Sequence, residues 1–503
     1  MSLLILGAPA AAQYGESVGE VSFTNSGNPA AQDSFHRGLA LLHNFEYPRA
    51  AAAFREAQEI DPDFVMAFWG EAMTHNHAVW QQQDIEAARV VLAKLGATSE
   101  ERIAKGKTDR ERAYLEAVET LYGEGEKHAR DFLYSDAMGA IHTAWPADED
   151  ATAFYALSIL GLAHDGRDFS LYMRSAAALE QVFPDNPNHP GVLHYLIHSY
   201  DDPIHAPLGL RAARRYGAVA PNAGHALHMT SHIFVAMGMW DDVVAANVQA
   251  NNVVNTQRRE SDKPPYFCGH YSEWLIYGYL QQGEVDAADA AIEACRGNAV
   301  SGLDSAKEHP QVERYRNPVS SHADVALMRL VETGDWARAP QQLPDGRYLW
   351  SHWMQAYGEV LRARGDTAAI TAARARMLQI ETAMTAAADA IASKFFRSRK
   401  TVILKQAAGL EKLARGDLEA GVADLTAAAE AEAAMPIEFG PPVIHKPSFE
   451  LLAEELARLG RANDARLAYQ RAAELTPGRR RIIEGLAALD GATSDVSIGA
   501  ASD

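Results

Sequence analysis

Between residues 164 and 232 the chain is crowded with imidazoles, most densely in the runs HYLIH and HMTSH. His194 and His198 are four residues apart, and so are His228 and His232. On a helix that spacing puts both rings of a pair on one face, a turn apart, where they can chelate a single cation. One such pair is weak evidence, because an isolated helical histidine is usually a hydrogen-bonded, partly buried side chain. The second pair, however, follows the first by 34 residues at both positions, and Pro187 and Pro221 keep the same interval. His164 lies one further interval back from His198. Crowding several imidazoles side by side costs desolvation unless a cation joins them, so the register predicts a metal site.

The elements that must carry these pairs show in a second pattern. Gly38, Ala50, Phe54, Ala57 and Pro62 are spaced by 12, 4, 3 and 5 residues, and Ala453, Ala465, Tyr469, Ala472 and Pro477 repeat those spacings. Small residues at such intervals let two antiparallel helices approach closely, and the proline stops the second helix. The pattern resembles the tetratricopeptide (TPR) repeat, strongly over 33–64 and 446–479 and in degenerate form between. The resemblance implies an all-α fold, an α-solenoid of TPR-like helical hairpins whose first helices line a concave groove. Loop glycines at 238, 283, 334, 365, 416 and 460 mark the weaker copies. Residues 13–130, 131–300 and 301–487 are expected to form N-terminal, central histidine-rich and C-terminal blocks of hairpins. Pro, Gly and polar residues cluster at 256–269, 299–319 and 436–447, which read as inserts, either plain connectors or lids over the groove.

In a TPR-like fold the paired histidines would face that groove. Taking Gly283 as the counterpart of Gly238 brings His270 and Glu273 to the same face, and His225 falls where His270 does. The expected metal ligands are therefore His164, His194, His198, His225, His228, His232 and His270, carried on helices roughly 8–10 Å apart. Imidazole-rich, thiolate-free ligation suits copper, zinc, iron or nickel. Copper is favoured, because about six histidines match the ligand supply of a paired copper site. Four histidines with Glu273 would instead suit a zinc or iron hydrolase. Glu273, Tyr277 and Tyr200 are the candidates for proton transfer. Asp201 and Asp202 stand one turn beyond His198, placed either to orient an imidazole or to cap the next turn. His43, His75 and His77 read as exposed polar residues, and His189 and His205 as structural residues at helix ends.

Composition narrows the partners. Lys and Arg number 46 against 66 Asp and Glu, a net charge of −20 that repels a phosphate backbone, so nucleic acid is not an expected partner. Cys268 and Cys295 are the only cysteines, enough for one bridge but not for a cysteine-rich zinc module. There is no phosphate-binding loop, nucleophile elbow or HExxH motif, so nucleotide cofactors are not expected. Residues 1–12 read as the back half of a secretory signal without its basic opening, which favours export to a periplasm over a cytoplasmic location. No run reaches the roughly 18–20 apolar residues of a membrane span. Residues 488–503 are expected to form a disordered tail. Together these features predict a metal-dependent enzyme, an oxidoreductase acting on a small molecule in the groove. The alternatives are a peptide-binding scaffold, a metal-binding protein without catalysis, and a hydrolase.

Overall fold

The computed structural model describes residues 17–305, 317–338, 349–387 and 394–499. Helices supply nearly all of its regular structure. The β pairing among the described residues is confined to two short strands, Asn76–His77 and Gln82–Gln83. The first hairpin joins Gln32–His43 to Tyr47–Ile60. Phe54 lies between Gly38 and Gly70, where an added Cβ would come within 2.9 and 2.4 Å of its ring, so glycine permits the close helix approach. The hairpin of Ser448–Arg458 and Ala462–Leu475 is built on the same pattern. In the centre, Pro190–Tyr200 and Ala206–Val219 are followed by Gly224–Ala236 and Trp240–Glu260. Both helices of the second central hairpin start 34 residues after their counterparts.

Two buried cores run through the array. One extends from Val18 to Met328 and the other from Leu327 to Leu489, meeting in the helix Pro318–Thr333. The C-terminal hairpins fold back onto the central ones. Gly238 and Gly478 approach so closely that a Cβ on either would lie 2.9 Å from the other's Cα. Beside them Trp240 Nε1 donates to the Gly478 carbonyl at 2.9 Å, and the Arg480 N–H donates to Gln281 Oε1 at 2.9 Å. Arg479 is buried between these elements, paired with Glu332 and Glu450 and donating to the Tyr277 hydroxyl at 3.1 Å.

The segments expected as inserts and tail differ in places. Trp240–Glu260 has 21 residues against 14 in Ala206–Val219, so the helix takes up the start of the 256–269 segment and leaves a shorter loop. The helix Arg480–Gly499 runs through most of the stretch expected to be disordered. The residues read as an export signal lie outside the described residues, as does 306–316 within the second insert. No helix among the described residues is long and apolar enough to cross a membrane.

Candidate metal centre

The helix Pro190–Tyr200 begins at a proline, and its cap is His189, whose Nδ1 accepts the Val192 N–H at 3.3 Å. His194 and His198 follow on one face with ring centroids 4.9 Å apart. One repeat later His228 and His232 stand 5.0 Å apart. The two helices bring the pairs side by side, with His198 5.9 Å from His232. His225, one turn before His228, closes on His194 at 5.1 Å. His270, which opens the helix His270–Gln282, reaches 4.5 Å from His228. The six rings resolve into two adjacent triads, His194–His198–His225 and His228–His232–His270, in each of which one nitrogen per ring lies within 4.8 Å of the others. His194 and His228 are fully buried, while His225 retains 8% exposure.

Neighbouring groups fix which nitrogen of each ring is left for a ligand. His194 Nδ1 donates to the carbonyl oxygen of His43 at 2.6 Å, so its buried Nε2 carries a lone pair, and that atom has no hydrogen-bond partner. His232 Nδ1 donates to Asp201 Oδ2 at 2.5 Å. His228 Nδ1 donates to Asn247 Oδ1 at 2.7 Å, the Asn247 amide nitrogen being spent on the Val243 carbonyl. Such outer partners set the tautomer and ring orientation of metal-binding imidazoles. The Nε2 atoms of His228 and His232 face each other at 3.2 Å. With both Nδ1 positions protonated, both Nε2 atoms present lone pairs across that gap. Burial pushes His194 down to about 3 and holds His198 and His228 well below the usual range, so these rings are neutral near neutral pH.

A third cluster, His43–Asp150–His189, satisfies the same distance criterion but has a different character. Asp150 Oδ1 accepts from His43 Nε2 at 2.8 Å and from His189 Nε2 at 3.3 Å, while His43 Nδ1 meets the Tyr195 hydroxyl at 3.0 Å. Its ligand atoms are committed to one another, and the two hydrogen bonds hold the Asp150 carboxyl far below its ordinary range despite burial. The cluster ties the first hairpin to the centre. His43, which the sequence suggests is an exposed polar residue, is fully buried instead.

The remaining candidates separate from the triads. His164 falls in the turn after the helix Glu149–Leu160, bonds Asp131 Oδ2 at 3.0 Å and stacks on His128 at 3.8 Å, outside either triad. Tyr200 donates its hydroxyl to Glu180 Oε1 at 3.0 Å. Tyr277 is buried in the Arg479 cluster. Glu273 follows His270 on its helix, and burial, with the negative charge of Asp324, pushes its carboxyl up to about 7. Of the two aspartates, Asp201 orients His232, whereas Asp202 caps the turn by accepting the Ile204 and His205 N–H groups at 2.9 and 3.0 Å.

Sequence reasoning missed Asn247, the His43 carbonyl and the aromatic wall. Tyr271 stacks on His228 at 4.6 Å, Trp274 lies 4.4 Å from His232, and Phe45 lies 4.3 Å from His194. Tyr271 and Trp274 adjoin His270 in CGHYSEW, a signal that was available. Cys268, two residues before His270, is joined by a disulfide to Cys295 in the helix Val285–Ser305.

No family model matches the chain, and no curated protein matches it. The hairpins themselves decide the architecture. This is an all-α array of TPR-like helical hairpins. Among solved structures, the TPR domain of P58(IPK) aligns over 93% of this chain and 99% of its own at 12% identity, with a TM-score of 0.21. A monomeric mutant of IFIT1 with Gppp-AAAA aligns over 92% of this chain and 99% of its own at 11% identity, with a TM-score of 0.35.

Proposed function

We propose that the TPR-like array holds a pair of transition-metal ions, one in each three-imidazole site, and acts as a copper-dependent oxidoreductase on a small molecule. The observation that carries this reading is the 3.2 Å approach of the His228 and His232 Nε2 atoms, with both Nδ1–H groups already donated elsewhere. Two lone pairs at that distance repel unless a proton or a cation lies between them, and burial disfavours the proton on His228. His194 Nε2, buried and unpartnered in the other triad, supports the same reading.

The donor set favours copper. All six donors are imidazoles, which suit copper and zinc, whereas paired iron sites in helical scaffolds are built around Glu. A bound copper pair would supply one-electron steps and affinity for dioxygen. The chain supplies the rest. Asp201, Asn247 and the His43 carbonyl hold the imidazoles in the ligating tautomer, and Phe45, Tyr271 and Trp274 exclude water. A peptide-clamp reading fits less well, because His194 and His228 are fully buried and offer nothing to an extended partner.

Elemental analysis of protein purified without a histidine tag, then reconstituted with copper, tests the proposal. About two ions per chain are expected, falling to about one in His194→Ala and in His228→Ala. Less than about 0.2 equivalents of any transition metal after reconstitution would sink it.

A further inference from the structure

The triads do not open onto a bare groove. Segment 436–441, part of the third insert, crosses over them at Phe439. Pro436 rests on Gly166, where an added Cβ would meet the proline Cβ at 2.7 Å. Phe439 turns inward, its ring 4.9 Å from His232 and 6.4 Å from His198, so it touches one member of each triad. Gly440, at φ +95°, sits so tightly on Trp274 that a Cβ would come within 2.2 Å of its ring. Pro436 and Glu438, both ahead of Phe439 in the chain, are exposed. The strap is closed at its base, where the Ser448 N–H donates to Glu432 Oε2 at 2.7 Å. Next to that base, Lys446 is buried against Glu450, and Arg479 against Glu450 and Glu332. A loop with a fixed base, an exposed body and one inward aromatic ring is built to admit or exclude at its tip.

We infer that Phe439 is the access- and specificity-determining residue of the paired three-histidine sites. Its ring fills the approach over His198 and His232, and a planar, ring-sized aromatic molecule reaches the imidazoles by taking its place. The ring lies tilted by 36° to that of His232 and edge-on to that of His198 at 69°, so a flat occupant fits where a bulky aliphatic one does not. What is gated rests on the reading of the six imidazoles as a metal pair; the gate itself does not.

The test uses the full-length chain as wild type, Phe439→Ala and Phe439→Leu, with helical content and thermal melting measured alongside. In metal-free protein, diethylpyrocarbonate modification of the peptides carrying His198 and His232 is followed by mass spectrometry. Removal of the ring should speed it by about tenfold, with the leucine variant between alanine and wild type. Binding of 4-nitrophenol, read optically, should tighten in the same order. Should the alanine variant fail to fold, the leucine variant is read against wild type alone. Equal modification rates and equal 4-nitrophenol affinity in folded variants would overturn the gate, even with copper uptake intact. Faster modification with no copper uptake in any protein would uphold the gate and refute the metal pair.

Discussion

The backbone carbonyl of His43 accepts the Nδ1–H of His194 at 2.6 Å, across 151 residues of sequence. The last residue of the first helix thereby sets the tautomer of a candidate ligand in the central array. His43 is itself held by Asp150 and Tyr195, so the orientation of His194 depends on a buried hydrogen-bond chain that starts outside its own repeat.

Gly191 is the weak point of that chain. A Cβ there would lie 2.3 Å from His43 Nδ1. Gly191→Ala should displace the His43 ring and its carbonyl, costing about 1–3 kcal/mol of stability and weakening metal uptake at the His194 triad. Chemical denaturation and metal titration read the two effects; a variant as stable as wild type would contradict this account of the packing.

Asp201 acts on the other triad. Asp201→Asn keeps the size of the side chain but can present an N–H to His232 Nδ1, favouring the wrong tautomer. Competition against a chelator should show metal affinity reduced by about 10–100-fold with the thermal midpoint little changed. Unchanged affinity would mean that Asp201 is only a packing partner.

The Cys268–Cys295 disulfide spans 27 residues and fixes the approach to His270. Reduction, or replacement of both cysteines by serine, should cost about 3–4 kcal/mol through the greater freedom of the unfolded chain. The His228–His232–His270 triad should lose affinity more than its neighbour. Denaturation with and without dithiothreitol, paired with metal titration, measures both.

Glu432, at the base of the strap, gives a pH signature. Burial pushes its carboxyl from 4.5 up to about 7. The folded chain therefore holds a proton that the unfolded chain releases. That contribution to stability is complete below about pH 4.5 and is lost as pH rises through about 7. Glu432→Gln is neutral throughout, so the wild type should lose about 1–3 kcal/mol relative to it between roughly pH 5 and pH 8. Parallel pH profiles for the two proteins would refute the protonated carboxyl.

The hairpins and the paired histidines were legible because a helical repeat turns a fixed sequence interval into a fixed position in space. The interval from His194 to His228 is also the interval between the starts of their helices. His164 keeps the interval but loses the geometry. The helix before it, Glu149–Leu160, ends four residues short, so the residue in register sits in a turn. Tyr277 follows His232 by 45 residues, the interval from Gly238 to Gly283, yet the returning C-terminal hairpins bring Arg479 to it, a contact between residues 202 apart that no local pattern announces. The same holds for Phe439 over His232. Asn247 was illegible for another reason, since an asparagine inside a helix carries no mark of the ring it will hold.

Arg479 has a mechanical consequence. A row of repeats in which only neighbours touch behaves as a spring that can fray from either end. Here one guanidinium buckles residues 277, 332 and 450 together, and pulling the last hairpins away would strand buried charges without partners. Unwinding from the C-terminal end is therefore penalised as soon as it passes the last helix, and the helix that carries His270 stays tied to the C-terminal hairpins whether or not an ion is bound.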